Sequence, residues 1–408
     1  MGEPTDEVYR AADRAGYPPG MLTMVDLFAG CGGITRGFTS LTGGDGSRIF
    51  DPRFAIDNDL AAATTYAENF ATSRQPDHAV LCADIRDVDL DIVPEADVMV
   101  GGPPCQGFSQ LGLNNPDDPR NQLWTDYLRL VEHVHPAVFV IENVARFAAS
   151  PEFGFLRARL GESLPEYRWS DWAVLNATDF GVPQSRKRAF FVASRVGPVA
   201  FSELIELGKS EEDVGAPRWR SVREALEGLD WRIDPNHTEL PDTSTDGVLP
   251  GTKVPGVFKE SDLHITRRPT ERSLDRFRAV APGRGRLHLP DHLKTAGWKK
   301  KKTGTTDVMG RLRWDEPSVT IRTEFYKPEK GRYLHPQYEI SAETGEVDES
   351  RTALRPLSWA EGARLQSFDD NHRWCGTKVD IARQIGNAVP VTLAAYVGKW
   401  VAGIVERG

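Results

Sequence analysis

The first half of the chain alternates between short apolar runs and amphipathic stretches. Thr23–Phe28 (TMVDLF) ends in a glycine cluster and is followed by a helical stretch, ITRGFTSL. Phe54-Ala55-Ile56 ends in acids and leads into AAATTYAENF; HAVLCADI, ADVMVGG and AVFVIENV are further apolar runs. Between the last two lies QLWTDYLRLVEHV, with Leu123, Tyr127, Leu130, Val131 and Val134 at helical spacing. Strands that are apolar throughout, separated by amphipathic helices, predict a parallel sheet covered on both faces, and so an α/β fold class. WAVLNATDFGVPQSRKRAFFVASR then reads as two strands with a short connection, an antiparallel pair at the sheet's edge.

From about Val196 this rhythm stops. Residues 200–310 are rich in Pro, Gly, Thr and charge, and only SVREALEGL reads clearly as helix, which predicts an irregular, loop-rich second domain. Helical periodicity returns in SWAEGARLQSF and VTLAAYVGKWVAGIV. A chain of 408 residues is more than one core comfortably serves, and its 39% hydrophobic and 27% charged residues are ordinary for a soluble protein. No apolar run approaches the ~20 residues of a membrane helix. The polar start, MGEPTDEVYRAADRAG, lacks the apolar centre of a signal peptide, so residues 1–20 read as a leader and the expected location is the cytoplasm, with no membrane partner.

A net charge of −9 argues against a polyanionic partner, yet its distribution reverses the argument. Residues 261–335 hold 18 Lys/Arg against 9 Asp/Glu, a local +9, which leaves −9 − 9 = −18 for the rest. A DNA-facing module on an acidic body would have this asymmetry; so would a solvated basic loop, and charge alone weighs them equally. The four cysteines, Cys31, Cys82, Cys105 and Cys375, show no C-x-x-C spacing, so no metal site is expected.

Chemistry concentrates where the apolar runs end. The cluster Ala29-Gly30-Cys31-Gly32-Gly33 permits a tight turn against a ligand, although a plain strand–helix turn would use the same residues. It is neither a dinucleotide fingerprint nor a phosphate loop, and it suits a nucleoside lacking a pyrophosphate. Asp57 stands where an acid would bind a ribose diol, and Asp84-Ile85 could bracket an adenine ring. The fourth run ends in Gly101-Gly102-Pro103-Pro104-Cys105-Gln106-Gly107-Phe108-Ser109. Prolines stiffen the backbone before Cys105 and glycines leave it unshielded, on the sheet edge where α/β proteins place ligands; this favours a nucleophile over a structural thiol. The next run brings Glu142-Asn143-Val144 to the same edge, and a buried carboxyl there could act as an acid.

Taken together these motifs resemble the DNA (cytosine-5) methyltransferase family of bacterial type. Asp26–Gly33 resembles its first cofactor motif, Gly102–Ser109 its catalytic loop and Glu142-Asn143-Val144 its acid motif. Gln184-Ser185-Arg186-Lys187-Arg188 is similar to Q-x-R-x-R. Arg355-Pro356-Leu357 with Glu361, Arg364-Leu365-Gln366 and Phe368 resembles the ninth motif, and Gln384–Pro390 the last, G-N-A-V-P. The match covers roughly 21–195 and 310–400. Asn58 departs from it, since many relatives have an aromatic residue there, and Asp57 stands for the commoner Glu.

The resemblance implies a Rossmann-like sheet, with catalytic residues 21–195, a target-recognition domain over 196–352 and a segment, 353–408, completing the first domain. It implies S-adenosyl-L-methionine as cofactor, S-adenosyl-L-homocysteine as product, and a site of Asp26, Phe28, Ala29, Gly30, Cys31, Gly32, Gly33, Asp57, Asn58, Asp84, Ile85, Pro103, Asn387, Ala388 and Val389. Cys105 would add to carbon 6 of a flipped-out cytosine, Glu142 would bind its N3 edge, and Arg186 and Arg188 would hold its carbonyl oxygen. Gln106, Ser109, Gln184, Arg267, Arg268, Arg284, Arg286 and Lys299, Lys300, Lys301 and Lys302 become candidates for contact with double-stranded DNA. A restriction-modification system with a nuclease partner, and a monomer on DNA, complete the expectation. A tRNA cytosine methyltransferase would lack so long a basic insert; thymidylate-synthase-like chemistry would not explain G-N-A-V-P; an inactive DNA-binding regulator would not keep Cys105 and Glu142.

Overall fold

A computed structural model describes residues 20–71, 79–103, 123–210, 219–300 and 307–408. The expected apolar runs form one sheet. Strands β1 (Leu22–Leu27), β2 (Phe50–Asp57), β3 (Ala79–Cys82), β4 (Val98–Gly101) and β5 (Val138–Val144) are parallel, in the order β3-β2-β1-β4-β5. β8 (Lys187–Ser194) lies antiparallel to β5, and the short β6 (Arg168–Trp169) and β7 (Ala173–Asn176) both pair with β8. The expected antiparallel pair is therefore β7–β8, with β6 as an unforeseen third member. β2 begins at Phe50 rather than at Phe54. The register with β1 slips where Met24 faces Pro52 and Val25 faces Phe54, so a bulge at Arg53 accommodates a proline that has no N–H to pair.

Helices cover both faces, as unbroken apolar strands require. Helices α1 (Gly33–Thr39), α2 (Leu60–Phe70), α3 (Leu123–Val134), α4 (Pro151–Ser163) and α5 (Phe201–Ser210) follow in chain order. One face of the sheet buries Val25, Leu27, Met99, Phe139 and Ile141 against Tyr127, Leu130 and Val131 of α3 and Leu156 and Leu160 of α4. The other buries Met24, Phe50, Val98, Val100 and Val140 against Phe38 of α1 and the chain's last helix. α5 lies in a region that reads as irregular; its Leu204 is fully buried in that second layer, so the segment just past Val196 packs on the sheet.

The insert holds little regular structure: α6 (Val222–Ala225), a small hairpin of β9 (Ser244–Asp246) and β10 (Lys253–Pro255), α7 (Glu271–Arg278) and α8 (Ala296–Lys300). Its own core is small, formed by Phe277, Val280, Leu289, Leu293, Met309 and Leu334. Polar groups supplement it. Arg311 is fully buried and donates to the carbonyls of Phe277, Val280, His335 and Ala353 at 2.6–3.0 Å, drawing three separate segments onto one guanidinium. The chain then forms α9 (Trp359–Leu365), α10 (Lys378–Asn387) and α11 (Val391–Glu406). α11 lays Leu393, Val397, Trp400, Val401 and Ile404 on the second face of the sheet. The boundary expected at Ala353 is not a break in packing, because Ile321, Phe325 and Tyr333 of the insert share one cluster with Leu357, Trp359 and Ile385.

Candidate active site

Strand order reverses between β1 and β4, so the loops leaving these strands part and open a crevice at their carboxyl ends. A cavity of about 700 Å³ lies there, in the size range of nucleoside-sized ligands. Asp26, Phe28, Ala29, Gly30, Cys31 and Gly33 line it from the first loop, Asp57 and Asn58 from the end of β2, and Asp84 and Ile85 from beyond β3. Pro103 follows β4, and Asn387, Ala388 and Val389 arrive from the other end of the chain. Gly32 is not on the wall. It turns at φ 81° with the ring of Phe70 2.3 Å from where a Cβ would be, so a side chain there would displace α2. Gly33 is equally constrained: a Cβ would stand 2.6 Å from the Val389 carbonyl, the close approach that joins the glycine loop to the C-terminal segment.

The loop is held by carboxylates. Both oxygens of Asp57 accept backbone N–H bonds at 2.9 Å, from Gly30 and from Asp59, so the acid placed for a ribose also fixes the turn. Burial raises its pKa. Asp26, 1% exposed, accepts a 2.5 Å bond from Thr35, and burial pushes its carboxyl up to about 7, with the nearby Asp57 adding to the rise. Asp84 is less free than expected. Its Oδ1 accepts from the Arg86 backbone and Nε, and its Oδ2 from Arg86 Nη2 at 2.6 Å.

Glu142 ends β5 against the same cavity, buried, with the Arg188 Nε 2.8 Å from its Oε1. Burial raises its pKa, while Arg188 and then Arg186 pull it down. Gly102 leaves room for it: a Cβ there would lie 3.0 Å from Glu142 Oε2. Asn143, the neighbour, donates to the Pro103 carbonyl at 2.9 Å and fixes the backbone two residues before Cys105 in sequence. Cys105 itself, with Gln106 and Ser109, lies outside the described residues.

Family membership is decided by comparison of the whole chain. The model for C-5 cytosine-specific DNA methylase matches residues 22–402. The chain belongs to that family. Its activity is DNA cytosine-5 methylation. It is 28% identical to the type II methyltransferase M.DdeI of Desulfomicrobium norvegicum, over 95% of this chain and 90% of that one. Identity to type II methyltransferase M.XorII of Xanthomonas oryzae pv. oryzae is 31%, over 92% of this chain and 83% of the relative. The fold is that of the S. pombe Dnmt2 methyltransferase crystal structure, with a TM-score of 0.61, 18% identity and coverage of 94% and 99%.

Not every motif residue faces the cavity. Arg186, 1% exposed, was expected to hold the substrate's carbonyl oxygen, but its guanidinium donates at 2.8 Å to the carbonyls of Ile321 and Gly386. It therefore ties β8 to the insert and to α10, and Arg188 alone of the pair reaches Glu142. Gln184, expected at DNA, is fully buried: it donates to Leu365 O and Gln366 Oε1 and accepts from Ile321 N. Arg286 is also buried, which takes it from the list of phosphate contacts. The other insert candidates stay at the surface. Arg268, Arg284, Lys299 and Lys300 are exposed, and Arg267 lies 3.8 Å from Glu329; Lys301 and Lys302 are outside the described residues. The sequence pointed to neither Arg86 nor Arg383, and named Asn143 and Gln384 only as motif members without a role; all four are on the cavity wall. Arg383 pairs with Asp59 at 2.5 Å, and only the fold brings residues so distant in sequence together.

Proposed function

We propose that the enzyme methylates carbon 5 of a cytosine flipped out of a specific DNA sequence, with Cys105 as nucleophile and S-adenosyl-L-methionine as methyl donor. The observation that carries this reading is the convergence of Glu142, Arg188 and Pro103 on one wall of the cavity whose other wall is the glycine loop. The residues present suit the cofactor. Asp57 offers remaining lone pairs to a ribose diol, and the acids Asp26 and Asp57 favour a ligand carrying sulfonium and ammonium charges. Gly30, Cys31 and Gly33 with Asn387–Val389 would hold its amino-acid arm, and Asp84, Ile85, Phe28 and Asn58 its base. When bound, the cofactor supplies an electrophilic methyl group and is left as S-adenosyl-L-homocysteine.

The chain's own residues do the rest. The Cys105 thiolate adds to carbon 6 of the cytosine, which breaks the ring's aromaticity and leaves carbon 5 enamine-like. Glu142 holds the N3 edge and the exocyclic amine, and Arg188, paired with Glu142, stands toward the ring's carbonyl oxygen. Arg186 supports this wall from behind. Loss of the carbon-5 proton and elimination of the thiolate restore the aromatic ring. A base inside a stacked duplex cannot reach such a wall, so the target is flipped out. The insert beyond α5, as far as residue 352, is the target-recognition domain, with Arg267, Arg268, Arg284, Lys299 and Lys300 toward the DNA. The protein acts as a monomer in the bacterial cytoplasm, beside a cognate restriction endonuclease.

Trapping tests the reaction. DNA with 5-fluorocytosine at the target should give a denaturation-resistant adduct with the wild-type chain, because fluorine cannot leave as the proton does. An adduct at wild-type yield with Cys105→Ser would remove Cys105 as nucleophile.

A further inference from the structure

A purine bound in this cavity has two flat faces to cover, yet among the described residues of the wall only Phe28 is aromatic. At the end of β2, Asn58 is exposed and polar. Planar guanidinium groups do reach the wall, and that of Arg86 follows Asp84 and Ile85, two residues from the first of them. We propose that the Asp84–Arg86 ion pair is a flat platform on which the cofactor's adenine stacks. This rests on the reading that the cavity holds S-adenosyl-L-methionine, and it assigns Asp84 and Arg86 a joint role in place of a free carboxylate.

The geometry favours a platform. Arg86 binds its neighbour through a two-bond fork, Nε to Oδ1 at 2.9 Å and Nη2 to Oδ2 at 2.6 Å, which draws guanidinium and carboxylate toward one plane. The backbone beneath is fixed from both sides. Asp84 caps the turn Ile85–Asp87 through the Arg86 N–H, and Arg129 of α3 donates to the carbonyls of Ile85 and Val88 at 2.9 and 3.3 Å. Oδ1 already accepts two donors and Oδ2 one, so the carboxylate's in-plane lone pairs are largely engaged within the turn and the pair. The carboxylate's charge is neutralised within the pair, and the buried side chain of Ile85 lies beside it. A guanidinium plane is weakly hydrated and stacks well on aromatic faces, unlike the compact ammonium of lysine.

Calorimetry with two ligands separates this from other uses of the arginine. S-adenosyl-L-homocysteine carries the whole cofactor skeleton; 5′-methylthioadenosine keeps the adenine, ribose and sulfur but has no amino acid. Arg86→Ala should weaken both by about 3- to 30-fold, the span of a cation–π contact between exposed and desolvated limits. Arg86→Lys, which keeps the charge but not the plane, should be nearly as weak. Adding Asn58→Trp to Arg86→Ala should recover most of the loss, which a misfolded turn would not permit. Equal or tighter binding by Arg86→Ala would overturn the platform, as would full recovery with lysine. A loss confined to S-adenosyl-L-homocysteine would place Arg86 on the amino-acid carboxylate instead. A wild-type chain that binds neither ligand would overturn the cofactor reading itself, and with it the platform.

Discussion

Arg188→Ala should raise the pKa of Glu142 further above its already raised value, because it removes the nearest charge that pulls it down. The two side chains are 14% and 12% exposed and their nearest atoms are 2.8 Å apart. With charge centres roughly 4 Å apart and an effective dielectric near 20, the attraction is about 4 kcal/mol at most. Residual hydration lowers that ceiling. The sign follows from burial. Glu142 already lies above its ordinary 4.5, because the desolvation of its charge outweighs Arg188 and Arg186. The folded chain therefore holds this proton more tightly than the unfolded one, and stability falls as pH rises through the folded value. Losing Arg188 moves that value further up. Difference infrared spectra against Glu142→Gln should place the carboxyl's titration at higher pH in the variant than in the wild-type chain. Urea unfolding should show the variant's deficit growing from acid to neutral pH, because below both values Glu142 is uncharged and the arginine has no anion to offset. An unmoved titration, or a deficit constant with pH, would refute the assignment of Arg188 as the counter-charge of Glu142.

Arg311→Met should destabilise the insert by about 3–5 kcal/mol, since it orphans several buried carbonyls. It should abolish DNA binding while S-adenosyl-L-homocysteine affinity stays within about twofold, and wild-type DNA affinity in the variant would show that the insert core does not depend on this residue. Replacing Lys299 and Lys300 with Ser should flatten the plot of log DNA affinity against log salt by up to ~2, about 0.9 per phosphate contact, and leave the set of methylated sequences unchanged. A relaxed target sequence would mean that these lysines read bases.

What could be read along the chain was whatever depends on neighbours in sequence. Unbroken apolar runs spaced by amphipathic helices dictate a parallel sheet because both faces must be covered. The glycine loop, Glu142 and Asp57 were legible because each ends such a run, at the edge where α/β sheets bind ligands. The same locality explains the misses. Pro52 hid the first half of β2 because a bulge, visible only against β1, absorbs it. α5 was lost in a polar region because its one essential feature, the burial of Leu204, depends on the far side of the sheet. Motif residues also divided in a way no spacing could announce. Arg186 stands just before β8 and Arg188 within it, only two positions apart, yet their partners differ: Arg188 meets a carboxylate, while Arg186 meets carbonyls from residues 321 and 386. A guanidinium has five donors and accepts either kind of partner, so its identity states the need for acceptors and not which ones. Only the tertiary structure, by bringing the insert and α10 against β8, decided that one arginine faces the cavity and the other holds the protein together.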